Sequence, residues 1–93
     1  MNVTTDFEES SAALARAVRR PSARFGGVIR ELRESRGWSQ EHLAGQATLN
    51  RSYMGEIERS AAVPSLVTAE KLAHALDVSL SELISRCERV VLA

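Results

Sequence analysis

SQEHLAGQATLNRSYMGEIER, residues 39–59, decides how this chain is read. Ser39 and Asn50 are helix-capping residues, and each opens a short segment with apolar residues at helical spacing. In the first segment Leu43, Ala44 and Ala47 share a face. In the second, a turn of ~100° per residue gathers Tyr53, Met54 and Ile57 on one arc. Arg51, Ser52, Gly55, Glu56 and Arg59 fall on the opposite arc. The residues TLN between the two segments make a tight turn.

The pattern extends outward from this pair. Upstream, Phe25, Val28, Ile29 and Leu32 stand at i, i+3, i+4 and i+7, one stripe of an amphipathic helix, with Arg30, Glu31, Arg33 and Glu34 off it. Gly37 closes that helix as a left-handed residue, and Trp38 follows as a core plug. Downstream, Pro64 blocks further helix and Ser65 caps a fourth, with Leu66, Ala69, Leu72, Ala73 and Leu76 inward. Ser79 and Glu82 form a capping box for a fifth, with Leu80, Leu83, Ile84 and Cys87 inward. The expected fold is therefore all-α, five short helices over about residues 24–87. Residues 1–22 read as an N-terminal arm or short extra helix ending at Pro21, 23–88 as the domain and 89–93 as a tail.

Bulk composition restricts the function. Twelve basic and twelve acidic residues leave no net charge, so total charge alone does not point to nucleic acid. Eleven of the twelve basic residues are arginine, with Lys71 the exception. Arginine suits forked contacts to guanine edges and phosphates, although genome composition also enriches it. A single cysteine, Cys87, forms no intrachain disulfide and fits a reducing cytoplasm. No apolar run approaches the ~18 residues that span a bilayer. The opening MNVTTDFEES is polar and acidic, unlike a secretory signal. His42 and His74 lack metal-type spacing to each other or to Cys87, and no nucleophile motif is present. Neither a metal, a cofactor nor an enzymatic activity is expected.

The outer arc of residues 51–59 carries the functional expectation. Arginine forks onto guanine O6 and N7, serine bonds several base edges, and Glu56 can accept from cytosine N4 or hold Arg51 or Arg59. A solvated helix face has the same composition. Gly55 costs a helix about 1 kcal/mol relative to alanine, which either close approach of another surface offsets or a well-packed helix tolerates.

Two short helices joined by a tight turn behind a longer one is the helix-turn-helix arrangement. LRESRGWSQEHLAGQATLNRSYMGEIERSAAVPSLVTAEKLAHALDVSLSEL closely resembles the phage-repressor (Cro and lambda-repressor-like, or xenobiotic-response-element) helix-turn-helix family. SQ opens helix two, LA sits within it, IER ends helix three and PS opens helix four. LNRSYMGEIER looks most like small controller-type regulators of restriction–modification systems. The resemblance implies a five-helix DNA-binding domain that acts as a homodimer on a two-fold symmetric operator in double-stranded DNA. It implies base contacts by Arg51, Ser52, Glu56 and Tyr53, and backbone contacts by Gln40, Asn50 and Arg59, with the first amides of helix two assisting Gln40. Regulation then works by excluding RNA polymerase or by touching it, and no small-molecule effector is evident.

Two positions depart from the family pattern. Ser60 replaces the usual glycine after IER, and Ala61–Val63 replace a loop that often carries basic residues. Either weak binding is therefore expected or help from an arm carrying Arg16, Arg19, Arg20 and Arg24 that reaches an adjacent minor groove, the same residues reading otherwise as a solvated amphipathic helix. The expected dimer surface is Leu80, Leu83, Ile84, Val90 and Val91. The competing expectation is an antitoxin or protein-interaction module of the same fold with weak or lost DNA binding.

Overall fold

The computed structural model describes residues 20–89 of the chain. Five helices follow one another: α1 (Pro21–Ser35), α2 (Gln40–Gln46), α3 (Arg51–Glu58), α4 (Leu66–Ala75) and α5 (Leu80–Arg89). Among the described residues there is no strand. Four of the five N-termini are closed by the expected caps. The Ser39, Ser65 and Ser79 hydroxyls accept from the backbone N–H of His42, Thr68 and Glu82, and the Asn50 carboxamide oxygen accepts from Tyr53.

Two expectations about helix starts are corrected. Pro21 begins α1, ahead of the start expected at about residue 24, because a proline in the first turn lacks only an N–H that has no intrahelical acceptor there. Arg24 is consequently a half-buried residue of α1 and not part of an arm; its Nε is buried without a hydrogen-bond partner among the described residues. At α5 the capping box is only half made. Ser79 caps, but the Glu82 carboxylate turns along the helix to Arg86 and Arg89, at 3.0 and 2.8 Å.

The helix C-termini follow one rule. Gly37, Thr48, Ser60 and Asp77 all have φ between 57° and 70°. Each is followed by a residue whose N–H reaches back five positions: Trp38 to Arg33, Leu49 to Ala44, Ala61 to Glu56 and Val78 to Ala73. These are Schellman closures, which satisfy the last carbonyls of α1 to α4. At three of them the next residue caps the following helix. The connections RGWS, ATLN and LDVS are thus the same turn built from different residues: a helix end, a left-handed residue, an apolar residue packed on the core, and a cap.

One core unites the elements. Ile29, Leu43, Met54, Ile57, Leu72, Leu76, Leu83 and Cys87 are fully buried, and α1 packs on both α3 and α5. Gly26 lets α1 approach closely: a Cβ there would stand 2.2 Å from the carbonyl oxygen of Ile57. Cys87 packs as a small hydrophobe, and burial pushes its thiol above its ordinary pKa. Trp38 is only half-buried, its ring meeting His42 edge-on at 4.6 Å. Leu66, expected inward, is 67% exposed. It stands at the first position of α4, and side chains in a first turn point back beyond the body that the helix packs on. Leu83 is fully buried in the core of one chain and so drops out of the expected dimer surface. Val90 and Val91 lie outside the described residues, as do Arg16, Arg19 and the extra helix expected near residues 10–20.

Candidate nucleic-acid interface

The start of α2 and the outer face of α3 form one surface. Asn50 fixes the first turn of α3 by accepting from Tyr53 N–H at 2.7 Å, which leaves its amide hydrogens to donate outward. Immediately after it, Arg51 and Ser52 are exposed, and Glu56 follows one turn later on the same face. Met54 and Ile57 lie beneath, fully buried, and hold that face outward. Tyr53 is half-buried and packs against the core. Gln40, Arg51, Ser52, Gly55, Glu56 and Arg59 line an open concavity of about 390 Å³. Neither the Arg51 nor the Arg59 guanidinium has a hydrogen-bond acceptor among the described residues. Their donors face solvent beside the Ser52 hydroxyl and the Glu56 carboxylate, which suits a ligand with mixed acceptors and donors.

A buried ion pair sets the pose of α3. Glu58 receives two hydrogen bonds from Arg33, Nε to Oε2 at 2.6 Å and Nη2 to Oε1 at 2.9 Å. Gln40 donates its Nε2 to the same carboxylate at 3.0 Å, and Arg33 also donates to the Trp38 carbonyl at 2.7 Å. One carboxylate therefore ties α1, α2 and α3 together. Burial pushes the Glu58 carboxyl up, but the hydrogen bonds from Arg33 and Gln40 and the guanidinium charge outweigh it and hold the group below its ordinary value of 4.5. Gln40 is thus half-buried and engaged, with one amide hydrogen left for a ligand.

This network escaped the reading of the sequence, although its signal was present. Glu58 is four residues after Met54 and Arg33 four after Ile29, so each borders a core arc, and Arg33, expected off the apolar stripe of α1, is corrected to a side chain only 11% exposed. A carboxylate and a guanidinium on buried faces require each other. The other unforeseen feature is Gly55, which lies on the outer arc yet is buried. The Arg59 guanidinium and the Gln40 carboxamide cover it, with Arg59 Nη1 3.0 Å from where a Cβ would stand.

A bundle of five short helices that displays a polar second helix of a capped pair is the architecture of a helix-turn-helix protein. A family model described as a helix-turn-helix domain matches residues 24–88, and the chain belongs to that family. It is similar to the control protein C.MunI of Mycoplasma sp, with 42% identity over 67 residues, 71% of this chain and 90% of that protein. It also resembles the immunity repressor protein of Bacillus phage phi105, 41% identical over 63% of this chain but only 41% of that protein. Among solved structures, the restriction-modification controller protein C.AhdI from Aeromonas hydrophila superposes with a TM-score of 0.63. It is 49% identical, covering 66% of this chain and 92% of that one. The expected helix-turn-helix family and all-α fold are borne out, and the chain takes its place among helix-turn-helix transcriptional regulators.

Proposed function

We propose that the chain is a sequence-specific, double-stranded DNA-binding transcriptional regulator that acts as a homodimer on a palindromic operator. The observation that carries this is the outer face of α3, where Arg51, Ser52 and Glu56 stand exposed over a buried Met54 and Ile57. The helix enters the major groove by its N-terminal end. Arg51 forks onto a guanine edge, Ser52 bonds a neighbouring base, Glu56 accepts from cytosine N4, and the Tyr53 edge rests against the groove wall. Asn50, Gln40 and Arg59 reach phosphates on either side through the amide hydrogens and guanidinium that intramolecular bonds leave available.

A single α3 reads few base pairs, and two such helices about 34 Å apart, one DNA turn, double the reading. The surface that brings them together is apolar. Val63, Leu66, Val67 and Ile84 are 74, 67, 60 and 37% exposed, and Leu66 and Ile84 line one groove with Phe25, Pro64 and Ala69. Half-buried Leu80 stands one turn before Ile84 on α5, and Val90 and Val91 come next in the sequence after that helix. Such a dimer controls transcription in the cytoplasm by covering a promoter or by meeting RNA polymerase on an adjacent site. Similarity to a control protein and to an immunity repressor supports a role as a small stand-alone regulator.

Selection of bound sequences from random duplex DNA tests the proposal. The expected product is a two-fold symmetric consensus with half-sites one helical turn apart. Recovery of no consensus at low salt overturns it and favours the protein-interaction module.

A further inference from the structure

We infer that Gly55 is a positioning residue: it keeps the outer face of α3 bare so that the Arg59 guanidinium can lie across the helix toward a DNA phosphate. The inference rests on the DNA-binding function proposed above. Arg59 is the C-terminal capping residue of α3, one turn beyond Gly55. Its side chain folds back, with Nη1 3.0 Å and Cζ 3.9 Å from the position of an absent Gly55 Cβ. Gln40 Oε1 closes the same space from α2, at 3.7 Å.

The other helical glycines make the contrast. Gly26 is required by the Ile57 and Glu58 backbone, whereas nothing lies within 4 Å of a Cβ on Gly27 or Gly45. Gly55 differs from all three, since the space it leaves is filled by the mobile end of a cation. An alanine there presses only on that flexible end, with Gln40 Oε1 at an ordinary contact distance, so the fold has no steric need of glycine, and helix propensity favours alanine. What alanine removes is the seat of the guanidinium. To admit the methyl group, Arg59 Nη1 must give by a few tenths of an ångström, which shifts it from its seat in the concavity that it shares with Gln40, Arg51 and Ser52. That concavity lies between the base-reading side chains and the start of α2, where the sugar–phosphate backbone runs when α3 occupies the groove. A forked guanidinium held there donates to two oxygens of one phosphate.

The test uses the full chain, its Gly55→Ala and Arg59→Ala variants and the double variant. The probe is a mixed-sequence duplex about two helical turns long, titrated across a salt series. Gly55→Ala is expected to melt about 3–6 °C above the native chain. It should bind the duplex roughly three- to tenfold more weakly, and lower the slope of log affinity against log salt by about one per protomer. In the Arg59→Ala background the same substitution should change neither affinity nor slope. Native-like binding by Gly55→Ala overturns the inference, and so does a lowered melting temperature. An equal loss with and without Arg59 also overturns it, because the methyl group then clashes with the DNA itself. If the native chain binds no duplex even at low salt, the DNA-binding function fails and takes the inference with it. If the native chain binds and Gly55→Ala is silent, only the inference fails.

Discussion

Single residues carry much of the chain reversal in this fold, and three of the four left-handed residues are not glycine. Thr48, with φ of 58°, is β-branched and sits at the turn between α2 and α3, where the left-handed region is most strained. Thr48→Gly is expected to stabilise the protein by about 1 kcal/mol, raising the melting temperature by roughly 4–8 °C. A thermal melt followed by circular dichroism checks this, and an unchanged or lower midpoint contradicts it. Gly26 is the opposite case. Its missing Cβ admits the carbonyls of Ile57 and Glu58, so Gly26→Ala forces backbone against backbone. A loss of roughly 2–3 kcal/mol in urea denaturation is expected, since neither helix can yield by rotating a side chain. These two residues also mark what the sequence made legible. Gly37 announces its turn because glycine prefers that conformation, whereas Thr48 and Asp77 adopt it because apolar Leu49 and Val78 and the caps that follow require the chain to reverse there, and Ser60 adopts it where the Ala61 N–H closes the end of α3. Gly26 carries no local signal, because the need for it lies on α3, more than 30 residues away along the chain.

Helices and their caps were readable from local pattern, while the contacts that orient one helix against another were not. Ser39, Asn50, Ser65 and Ser79 each announce an N-terminus, and the apolar stripe of α1 names its own buried face. Leu66 misled because spacing reports direction around a helix and not position along it. The pose of α3 depends on Glu58, whose partners Arg33 and Gln40 lie 25 and 18 residues away. Removing the Glu58 charge leaves the Arg33 guanidinium without its partner in a site where its side chain is 11% exposed. Glu58→Gln is therefore expected to cost about 3 kcal/mol. The pH dependence has a definite sign. Because the folded state holds this carboxyl below its ordinary value, the pair contributes its full stability above that value. The contribution is lost as pH falls from near 4.5 through the depressed folded value. Urea midpoints measured down this acid range should fall more steeply for the native chain than for Glu58→Gln, and parallel curves contradict the assignment.

Two faces of the whole molecule are unlike the rest: the polar face of α3 and the apolar patch of Val63, Leu66, Val67 and Ile84. With no net charge on the chain, long-range attraction to DNA is weak, and the proposed function draws its affinity from pairing two α3 helices and from a few exposed arginines. Replacing both Leu66 and Val67 by serine is expected to raise the dimer dissociation constant by about tenfold or more in sedimentation equilibrium. Both side chains are solvent-exposed in one chain, so the melting temperature at low protein concentration should stay near native. Serine variants that remain fully dimeric place the interface elsewhere. The central claim is that the side chains of α3 read base pairs, and the binding free energy of Arg51→Ala on the selected consensus and on single-base variants of it tests that claim most directly. A loss of roughly 1–3 kcal/mol on the consensus, together with loss of preference at one guanine and retention of the others, is the predicted result. A uniform loss at every sequence, or native selectivity at that guanine, contradicts it.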